Sequence, residues 1–414
     1  MRVVIVGGGV AGLSLALALR CQGIDYVLLE QASRFEPVGA GIQLSPNATR
    51  TLEYLGVLGR LEPKTVQPGC HRFVDWKTAE PLLTTPLGGA VVEAFGQPYL
   101  HAHRADLLDS ILQEIGEEER IRMSVRVIAT GQRENGAWAR LEGGETVEGD
   151  ILVAADGVRS SIREGLFEPE PPQFSGCMAW RGLTSASIAE KLGYRKDSYI
   201  WMGPERSMVI YYVSGGQLLN WIGIGPSDGD TSESWTAQGT TEAALREYHG
   251  WHPMVRSLIE GSAPPHKWAL FDRKPLESWV QGRIVLIGDA AHAMLPYHAQ
   301  GAAQSIEDCW VLARRLALAS DIDEALKSYE SIRKERTAKV QGASRAAQNL
   351  FHMSGKTELE RRNQRFASMQ AGIGKGFPPG QEWLFAYDAE KAATEEDSDW
   401  RRLARSEEHT SELQ

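Results

Sequence analysis

Uninterrupted runs of apolar residues along the chain predict the strands of a buried parallel sheet. Residues 3–6, 26–29, 151–155 and 283–287 consist almost entirely of Val, Ile, Leu and Ala, as expected of strands that are covered on both faces. An Ala- and Leu-rich helix at 13–19 lies between the first two runs. The order strand, helix, strand is typical of an α/β domain with a Rossmann-like sheet.

Later parts of the chain follow other patterns. Between residues 174 and 271, short segments with recurring Trp and Tyr alternate with turns. The pair 207–213 and 218–224, joined by a turn that contains two glycines, predicts an antiparallel sheet whose aromatic residues mostly form a core. Residues 323–371 show helical periodicity, whereas 391–414 is polar and aperiodic, which predicts a disordered tail.

A glycine-rich turn follows the first predicted strand. Gly7, Gly9 and Gly12 fit the pattern G-x-G-x-x-G. In this pattern the first glycine permits a tight turn, the second lets the backbone approach a pyrophosphate, and the third lets the helix pack closely on the strand. Glu30 ends the second strand at a spacing of about 20 residues, which places a carboxylate on a ribose 2′-hydroxyl. The alternative is a tight turn in some other βαβ unit, but the complete order of elements favours a dinucleotide site.

Two further turns place polar groups at the carboxyl ends of predicted strands. Asp156-Gly157 and Gly288-Asp289 each follow a buried apolar run, and open α/β sheets bind ligands at this edge. Arg104 stands in the first turn of a predicted helix, where a cation opposes the helix dipole. Arg104 therefore either pairs with a bound anion or lies at the surface.

Composition narrows the class of protein. The chain has 414 residues and a net charge of −10, and the absence of a Lys/Arg cluster disfavours a nucleic-acid partner. No apolar run reaches the roughly 20 residues of a membrane span. The four cysteines, which match neither a zinc site nor a disulfide framework, are Cys21, Cys70, Cys177 and Cys309. We expect a cytoplasmic protein with reduced thiols and no metal site.

The three separated motifs together resemble the group A FAD-dependent aromatic monooxygenases, in particular the salicylate hydroxylases, hydroxybenzoate hydroxylases and 6-hydroxynicotinate monooxygenases. The resemblance extends over about residues 1–390, and further similar segments are 39–42, 103–107, 180–182 and 288–292. It implies an α/β fold with a Rossmann-like FAD-binding domain of the GR2 type, an antiparallel β-sheet domain for the substrate, and C-terminal helices.

The implied domains are discontinuous in sequence. The FAD-binding domain would consist of residues 1–72, 101–173 and 273–320. The substrate-binding domain would consist of residues 73–100 and 174–272, followed by a helical region at 321–390 and the predicted disordered tail at 391–414.

The resemblance also implies a set of FAD contacts. The cofactor-binding residues are Gly7, Gly9, Gly12, Glu30, Gln43, Arg104, Val127, Asp156, Asp289, Gly301 and Ala302. In the family the glycines hold the pyrophosphate, the acid at Glu30 holds the ribose, and Val127 would meet the adenine through its backbone. Arg104 would contact the phosphates or the flavin side.

The remaining cofactor residues would act nearer the flavin ring. Asp156 lies in a motif linked to both FAD and the nicotinamide donor, and Asp289 would hold the ribityl or pyrophosphate part. Gly301 and Ala302 would present helix N–H groups to the pyrimidine edge, because a helix N-terminus stabilises the negative charge of reduced flavin.

The activity implied is hydroxylation of a small phenolic aromatic acid with O2 and NADH or NADPH through a C4a-hydroperoxyflavin. The leading interpretation is that the substrate is a salicylate-like acid, hydroxylated with or without decarboxylation. Alternatives are another flat phenol or N-heterocycle, such as hydroxynicotinate or urate, and a flavin NAD(P)H oxidase that does not hydroxylate. Since one dinucleotide fold is predicted, the nicotinamide would bind transiently across a groove. The sequence leaves open which nicotinamide is used and whether the protein is a homodimer.

The catalytic candidates are Tyr211, His298 and Tyr297, because the substrate phenol must be ionised. A phenol pKa near 10 must be matched at pH about 7, a gap of roughly 3 units or about 4 kcal/mol. Tyr211 lies where a relative's substrate-deprotonating tyrosine would fall, and His298 is the better intrinsic base; a packed aromatic or a backbone-bonded histidine is the alternative. Arg181 would pair with a substrate carboxylate or be structural, so the predicted substrate contacts are Arg181, Tyr211 and His298. The bulky Tyr297-His298 pair departs from the family pattern, which commonly has a glycine in this loop.

Overall fold

A computed structural model describes residues 1–35, 41–116, 118–167, 170–227, 229, 238–373 and 380–394. The first two positions of the predicted motif 39–42 and most of the predicted tail therefore lie outside the described residues.

The strands, in chain order, are β1 (Arg2–Val6), β2 (Asp25–Leu29), β3 (Gly41–Leu44), β4 (Cys70–Asp75), β5 (Pro81–Pro86), β6 (Leu100–His103), β7 (Ile121–Arg122), β8 (Val127–Arg133), β9 (Gly136–Leu141), β10 (Thr146–Gly149), β11 (Ile151–Ala154), β12 (Gln173–Ser185), β13 (Ser198–Gly203), β14 (Arg206–Val213), β15 (Leu218–Pro226), β16 (His266–Asp272), β17 (Val280–Gln281) and β18 (Ile284–Leu286).

The α-helices are α1 (Val10–Cys21), α2 (Pro46–Tyr54), α3 (Leu58–Leu61), α4 (Gly88–Phe95), α5 (Arg104–Ile115), α6 (Ser161–Leu166), α7 (Ala186–Lys191), α8 (Thr241–Glu247), α9 (Pro253–Glu260), α10 (Asp289–His292), α11 (Gly301–Leu318), α12 (Ile322–Phe351), α13 (Lys356–Gly372), α14 (Glu382–Phe385) and α15 (Ala389–Thr394).

The first sheet has six strands in the order β17-β18-β11-β1-β2-β7. All neighbours pair in parallel except the short β17, which is antiparallel to β18. Val3, Val4 and Ile5 of the central strand are fully buried, because the sheet is covered on both faces and its strands need apolar side chains on both sides. The apolar runs of the sequence are thus the strands of this sheet, and the predicted α/β fold class is confirmed.

The second sheet has seven strands in the order β16-β12-β15-β14-β13-β4-β5. Its pairs are antiparallel except β13 with β4, which are parallel. These two strands meet after a long excursion through the first domain, so no hairpin constrains their direction. The sheet also takes in residues 70–72 of β4 and residue 173 of β12, a few positions beyond the predicted domain boundaries.

Side chains on the second sheet alternate between two faces. Trp180, Trp201, Trp221 and Tyr248 form a buried cluster on the outer face, which agrees with the prediction that most of these aromatic residues are core. Arg181 follows Trp180 and points to the opposite, inner face. The inner face lies toward the first domain, since Tyr211 of β14 contacts Gly41 of β3.

The C-terminal helices pack back on the first domain. Helix α12 spans 30 residues and lies against α11, and the segment 380–394 crosses α2 and α11. Helix α15 extends to Thr394, so the first four residues of the predicted disordered tail form a helix; residues 395–414 lie outside the described residues. Within the described ranges, no helix is long and apolar enough to cross a membrane. The four cysteines are free.

Candidate active site

The glycine turn after β1 admits no side chain at two of its three positions. Gly7 has a φ of +107°, and a Cβ atom there would lie 2.4 Å from the carbonyl oxygen of Ala155. A Cβ atom on Gly12 would lie 1.8 Å from the carbonyl oxygen of Gly7. Helix α1 therefore begins directly at the turn, with its free N–H groups directed at the space above Gly9, as in a pyrophosphate site.

Glu30 lies at the end of β2, directly beside this turn. Its carboxylate accepts hydrogen bonds from the N–H groups of Gly8 at 2.6 Å and Ala32 at 2.7 Å. The N–H of Val125 donates to the carbonyl oxygen of Glu30 at 2.9 Å, so the chain that leads into Val127 runs past the same acid. The structure thus places Glu30 and Val127 at one end of the glycine turn, where the resemblance predicts the adenosine.

Arg104 reaches the turn from the first residue of α5. A Cβ atom on Gly9 would lie 4.0 Å from its Nη2 atom, and the carboxylates of Glu30 and Asp289 act on its charge. Burial lowers the pKa of Arg104. Across the described residues, its guanidinium has no hydrogen bond and no ion pair. A partly buried cation without a partner at a phosphate-binding turn fits a bound anion.

Asp289 follows β18 at the opposite side of the turn. Gly288 has a φ of +57°, and a Cβ atom there would lie 2.9 Å from Ser305 Oγ and 3.0 Å from Ala11 Cβ. The tight packing aims Asp289 at the N-terminus of α11, where a Cβ atom on Gly301 would lie 3.9 Å from Asp289 Oδ1. Asp289 reaches solvent, and the protein packed around it raises the pKa of its carboxyl by desolvation.

Asp156 borders the same turn from the end of β11. A Cβ atom on Gly7 would lie 3.1 Å from the backbone nitrogen of Asp156. Its Oδ2 atom accepts a 3.4 Å hydrogen bond from Ile162 N–H, whereas Oδ1 is buried without a partner in the described structure. Burial raises the pKa of Asp156. A buried oxygen without a hydrogen-bond donor, beside the glycine turn (called the cradle below), is suited to accept a hydrogen bond from a cofactor hydroxyl.

Gln43 occupies a different place from the other predicted cofactor residues. It is 8% exposed on β3, and its Oε1 atom accepts a 2.6 Å hydrogen bond from the Tyr99 hydroxyl. Its side chain also faces the hydroxyl of Tyr211. Gln43 therefore connects the cofactor domain to the inner face of the second sheet.

Tyr211 closes the inner face of the second sheet against β3. A Cβ atom on Gly41 would lie 2.6 Å from its ring, and the ring of His101 lies 4.5 Å away. Tyr211 is 2% exposed, and burial raises the pKa of its hydroxyl. Tyr211 therefore stays protonated at neutral pH and acts as a hydrogen-bond donor, not as an ionised base.

Arg181 lies two strands away from Tyr211 on the same face. Its guanidinium lies 5.1 Å from the ring centroid of Trp268, and the residue as a whole is 5% exposed. Neither a hydrogen bond nor an ion pair reaches it from any described residue. Burial lowers the pKa of Arg181, which the nearby charge of Arg104 lowers further.

The loop before α11 carries the other two catalytic candidates. The His298 ring lies near the backbone carbonyl of Ala343 in α12, and burial lowers the pKa of His298. A neutral imidazole has one ring nitrogen free of a proton, which can accept one. Tyr297 packs edge-on against Phe351 at 5.7 Å and His352 at 5.5 Å, beside Cys177.

The structure also reveals polar residues that the sequence did not single out. Buried beside Tyr211 and Gln43 is a cluster of His71, Tyr99 and His101. Below the N-terminus of α11 is a buried network that consists of Ser45, Asn47, Gln300, Gln304, Glu307, Asp308, Arg333 and Arg336. In the sequence, the signal for this network is the position of Arg333 and Arg336 on the otherwise apolar face of α12.

The fold and the site together define a class. A glycine turn, an arginine without a partner among the described residues and acids at two strand ends fit a dinucleotide site. A half-apolar sheet face with a buried arginine and a tyrosine lies near this turn, since the charge of Arg104 acts on Arg181. In an α/β protein of this topology, that combination fits an enzyme that binds a dinucleotide beside its substrate. Among the described residues, no cluster of His, Cys, Asp or Glu could hold a metal ion.

Comparison with known proteins identifies the family. Residues 1–344 match the family described as an FAD binding domain, and the chain belongs to this family. A relative is the 3-amino-4-hydroxybenzoate 2-monooxygenase PtnB3 of Streptomyces platensis, 38% identical over 354 residues that cover 85% of this chain and 89% of that protein. The 6-hydroxynicotinate 3-monooxygenase of Pseudomonas fluorescens is 34% identical over 348 residues, covering 83% and 90%. The 3-hydroxybenzoate 6-hydroxylase 1 of Aquipseudomonas alcaligenes is 34% identical over 362 residues, covering 85% and 90%.

Solved structures agree with this assignment. A salicylate hydroxylase in its substrate complex superposes with a TM-score of 0.79 at 26% identity, covering 98% of both chains. Klebsiella pneumoniae HpxO complexed with FAD and uric acid shares the fold, with a TM-score of 0.82 at 24% identity and coverage of 90% and 94%. The predicted membership is confirmed: the chain is an FAD-dependent aromatic-ring monooxygenase.

Proposed function

We propose that this monooxygenase hydroxylates a small aromatic acid that carries a phenolic hydroxyl, with O2 and NADH or NADPH as co-substrates. The observation that carries the proposal is Arg181, a residue that is 5% exposed and whose guanidinium has no anionic partner among the described residues. Removing an ionised group from water costs several kcal/mol unless a partner compensates for it. A substrate carboxylate is the partner that this site lacks.

The neighbours of Arg181 favour a flat ring. Ile222 lies beside it on the adjacent strand β15, and Val209 lies next to Ile222 on β14, one strand farther; both are partly exposed. This row of one guanidinium and two branched apolar side chains provides a wall for a ring and a charge for its acid group. Tyr211 lies farther along the same face and presents a protonated hydroxyl.

The three polar residues then have separate roles. Bound FAD supplies the electrophilic oxygen, which derives from O2 once the nicotinamide has reduced the cofactor. Arg181 holds the substrate carboxylate and, with its positive charge, favours ionisation of the phenol. Tyr211 donates a hydrogen bond to the resulting phenolate, and His298 accepts the proton. The role of Tyr297 in this proposal is to pack the loop.

The names of the relatives support this substrate class. Aminohydroxybenzoate, hydroxynicotinate and hydroxybenzoate each combine a ring hydroxyl with a carboxylate. A salicylate-like acid would additionally lose CO2 if the hydroxylated carbon is the one that carries the carboxylate. The cofactor residues Gly7, Gly9, Gly12 and Glu30 are proposed to bind the FAD pyrophosphate and ribose in the arrangement described above.

The test compares acids with their carboxylate-free analogues. The purified yellow protein is titrated with salicylate, 3-hydroxybenzoate, 4-hydroxybenzoate and 6-hydroxynicotinate, and with phenol and 2-hydroxypyridine, while the flavin spectrum reports binding. We expect tighter binding of at least one acid, substrate-stimulated NADH or NADPH oxidation, and a hydroxylated product by mass spectrometry. In Arg181→Gln that acid should bind 10- to 100-fold more weakly, since a charge-assisted hydrogen bond contributes about 1.5–3 kcal/mol. Equal binding of acids and analogues to both proteins would refute the proposal, and oxidation that yields hydrogen peroxide alone would indicate a non-hydroxylating oxidase.

A further inference from the structure

Three buried side chains close a ring of hydrogen bonds just before the N-terminus of α11. Gln300 Nε2 donates to Ser45 Oγ at 2.8 Å, and Ser45 Oγ donates to Asn47 Oδ1 at 2.6 Å. Asn47 Nδ2 donates back to Gln300 Oε1 at 3.2 Å. All three are at most 2% exposed. The ring ties residue 300, which precedes the helix N–H groups of Gly301 and Ala302, to the start of α2.

Two adjacent acids of α11 extend this ring. Glu307 Oε1 accepts a 2.6 Å hydrogen bond from Asn47 Nδ2, so Glu307 holds the turn before the helix. Asp308 Oδ2 accepts from Gly288 N–H at 2.9 Å and lies 2.6 Å from His292 Nε2, so Asp308 holds the turn that carries Asp289. Both turns that face the predicted flavin position are thereby fixed to neighbouring residues of one helix.

Both acids are fully buried, and two arginines of α12 neutralise them. Arg333 contacts Glu307 Oε2 at 2.5 Å through Nη1 and Asp308 Oδ1 at 2.8 Å through Nε. Arg336 contacts Glu307 through Nε at 2.8 Å and Nη2 at 2.9 Å. The four side chains are 0% exposed, and their formal charges sum to zero. Burial alone would raise the pKa values of both acids. Arg336 and Arg333 hold the pKa of Glu307 below its usual range, and His292 and Arg333 do the same for Asp308.

We propose that Arg333 and Arg336 keep the flavin-facing end of α11 electropositive by cancelling the charges of Glu307 and Asp308. This makes Arg333 a positioning residue that sets the reduction potential of the bound flavin without touching it. The inference rests on the FAD site described above and goes beyond it, because it assigns an electrostatic role to a helix outside the cofactor domain.

The physical reason is the short distance along the helix. Glu307 lies six residues after Gly301, which corresponds to about 9 Å at the helical rise. Two uncompensated carboxylates there would oppose the partial positive charge of the helix N-terminus. Reduction adds negative charge to the flavin, so a lost arginine disfavours the reduced form and a lost acid favours it. A unit charge at this distance and an effective dielectric constant of about 20 shifts such an equilibrium roughly 20-fold.

The experiment measures the two-electron potential of the bound flavin by equilibration with a reference dye, in the absence of any aromatic substrate. Arg333→Gln should lower the potential, because the equilibrium shifts roughly 20-fold, which is about 40 mV for a two-electron couple. Arg333→Lys keeps the charge and should restore most of the potential. The matched control is Arg314→Gln. Arg314 lies near the C-terminal end of α11, far from Gly301, and forms an ion pair with Glu390. Its loss should leave the potential unchanged.

Two further variants separate charge from geometry. Asn47→Ala breaks the hydrogen-bonded ring but removes no charge, so it should weaken FAD binding several-fold at a nearly constant potential. Glu307→Gln should raise the potential, opposite in sign to Arg333→Gln. If Arg333→Gln does not fold, the potential of Glu307→Gln tests the proposal by itself. Shifts of equal sign in both variants, or no shift in either, would overturn the proposal. A colourless wild-type protein would instead refute the proposed function.

Discussion

Gly12 of helix α1 and Gly7 of the preceding turn lie so close that a Cβ atom on Gly12 would be 1.8 Å from the carbonyl oxygen of Gly7. The neighbouring atom belongs to the backbone, so no side-chain rotation could relieve the clash. The contact brings the first turn of α1 against the end of β1, and thereby directs the helix N–H groups at the space above Gly9. The same geometry of the turn therefore permits both the close packing of the helix on the strand and the binding of an anion.

Gly12→Ala should therefore abolish FAD binding and reduce stability, because overpacking against backbone costs about 3 kcal/mol or more. The matched control is Gly342→Ala in helix α12, where a Cβ atom would meet nothing within 4 Å. That change should stabilise the protein by about 0.5–1 kcal/mol, since alanine is the better helix former. Flavin absorbance after purification and urea unfolding measure the two effects. A yellow Gly12→Ala protein of normal stability would contradict the geometry.

Arg104 provides a second test of the cradle. Its guanidinium has no hydrogen bond or ion pair within the described structure, and it faces Gly9 between the acids Glu30 and Asp289. If a cofactor phosphate is its partner, Arg104→Gln should weaken FAD binding by about 10- to 100-fold, the range of a charge-assisted hydrogen bond. Fluorescence titration of the apoprotein with FAD measures this. Arg60→Gln, at an exposed ion pair with Glu114, is the control and should bind FAD as wild type does; equal affinities in the two variants would exclude the phosphate role.

The fold was largely predictable because local patterns encode it. Four apolar runs became β1, β2, β11 and β18, since strands buried on both faces need uninterrupted apolar sequence. The parallel pairing of β4 with β13 was missed, because no short-range signal specifies a pair that meets after a long excursion of the chain. The tail prediction placed the boundary too early: Lys391–Thr394 lack an amphipathic pattern of their own and are held in α15 by contacts such as the ion pair of Glu390 with Arg314.

The candidate site also contains residues that the sequence identifies and residues that only the structure reveals. Gly7, Gly12 and Glu30 belong to a motif with fixed spacing, so the sequence alone identified them. The buried network of Asn47, Glu307 and Arg333 joins three helices across long sequence separations, and each residue alone reads as an ordinary polar residue on a helix surface. Its existence follows from tertiary packing, which no motif in the chain reports.

Two half-buried histidines predict a characteristic pH dependence of stability. Burial lowers the pKa of His71 and His352 from 6.5 to about 4. Between these values the unfolded chain binds protons that the folded chain does not, so the free energy of unfolding must fall as the pH drops from 6.5 toward 4. Each such imidazole contributes at most about 1.4 kcal/mol per pH unit, and partial exposure makes the real contribution smaller.

His352→Gln should make this pH dependence shallower, because it removes one of the groups that titrate. Glutamine can still hydrogen-bond Ser207, which lies 3.1 Å from His352 Nε2, so the fold should persist. Urea unfolding at pH 7, 6 and 5 gives the slope. The exposed His249→Gln is the control and should follow wild type. Parallel stability curves for wild type and His352→Gln would show that this imidazole does not titrate on unfolding.

Tyr211 and Tyr297 should differ in their effect on turnover. Tyr211 faces Gln43, and in the proposed function it donates a hydrogen bond to the substrate phenolate. Tyr211→Phe should therefore leave FAD bound and the fold intact but slow product formation by about 100-fold, the lower range for a group that assists proton transfer. His298→Ala should also slow product formation with FAD retained, because it removes the proposed proton acceptor.

Tyr297→Phe is the matched control, since it deletes the same hydroxyl from a ring held by edge-on contacts with Phe351 and His352. Those contacts survive in phenylalanine, so turnover should change little. Stopped-flow measurement of product formation, with flavin absorbance as the check on cofactor content, compares the variants under single-turnover conditions. If Tyr297→Phe is as slow as Tyr211→Phe, the catalytic hydroxyl lies on the loop before α11 and not on the sheet. If neither variant slows the reaction, Arg181 and His298 must account for ionisation of the phenol by themselves.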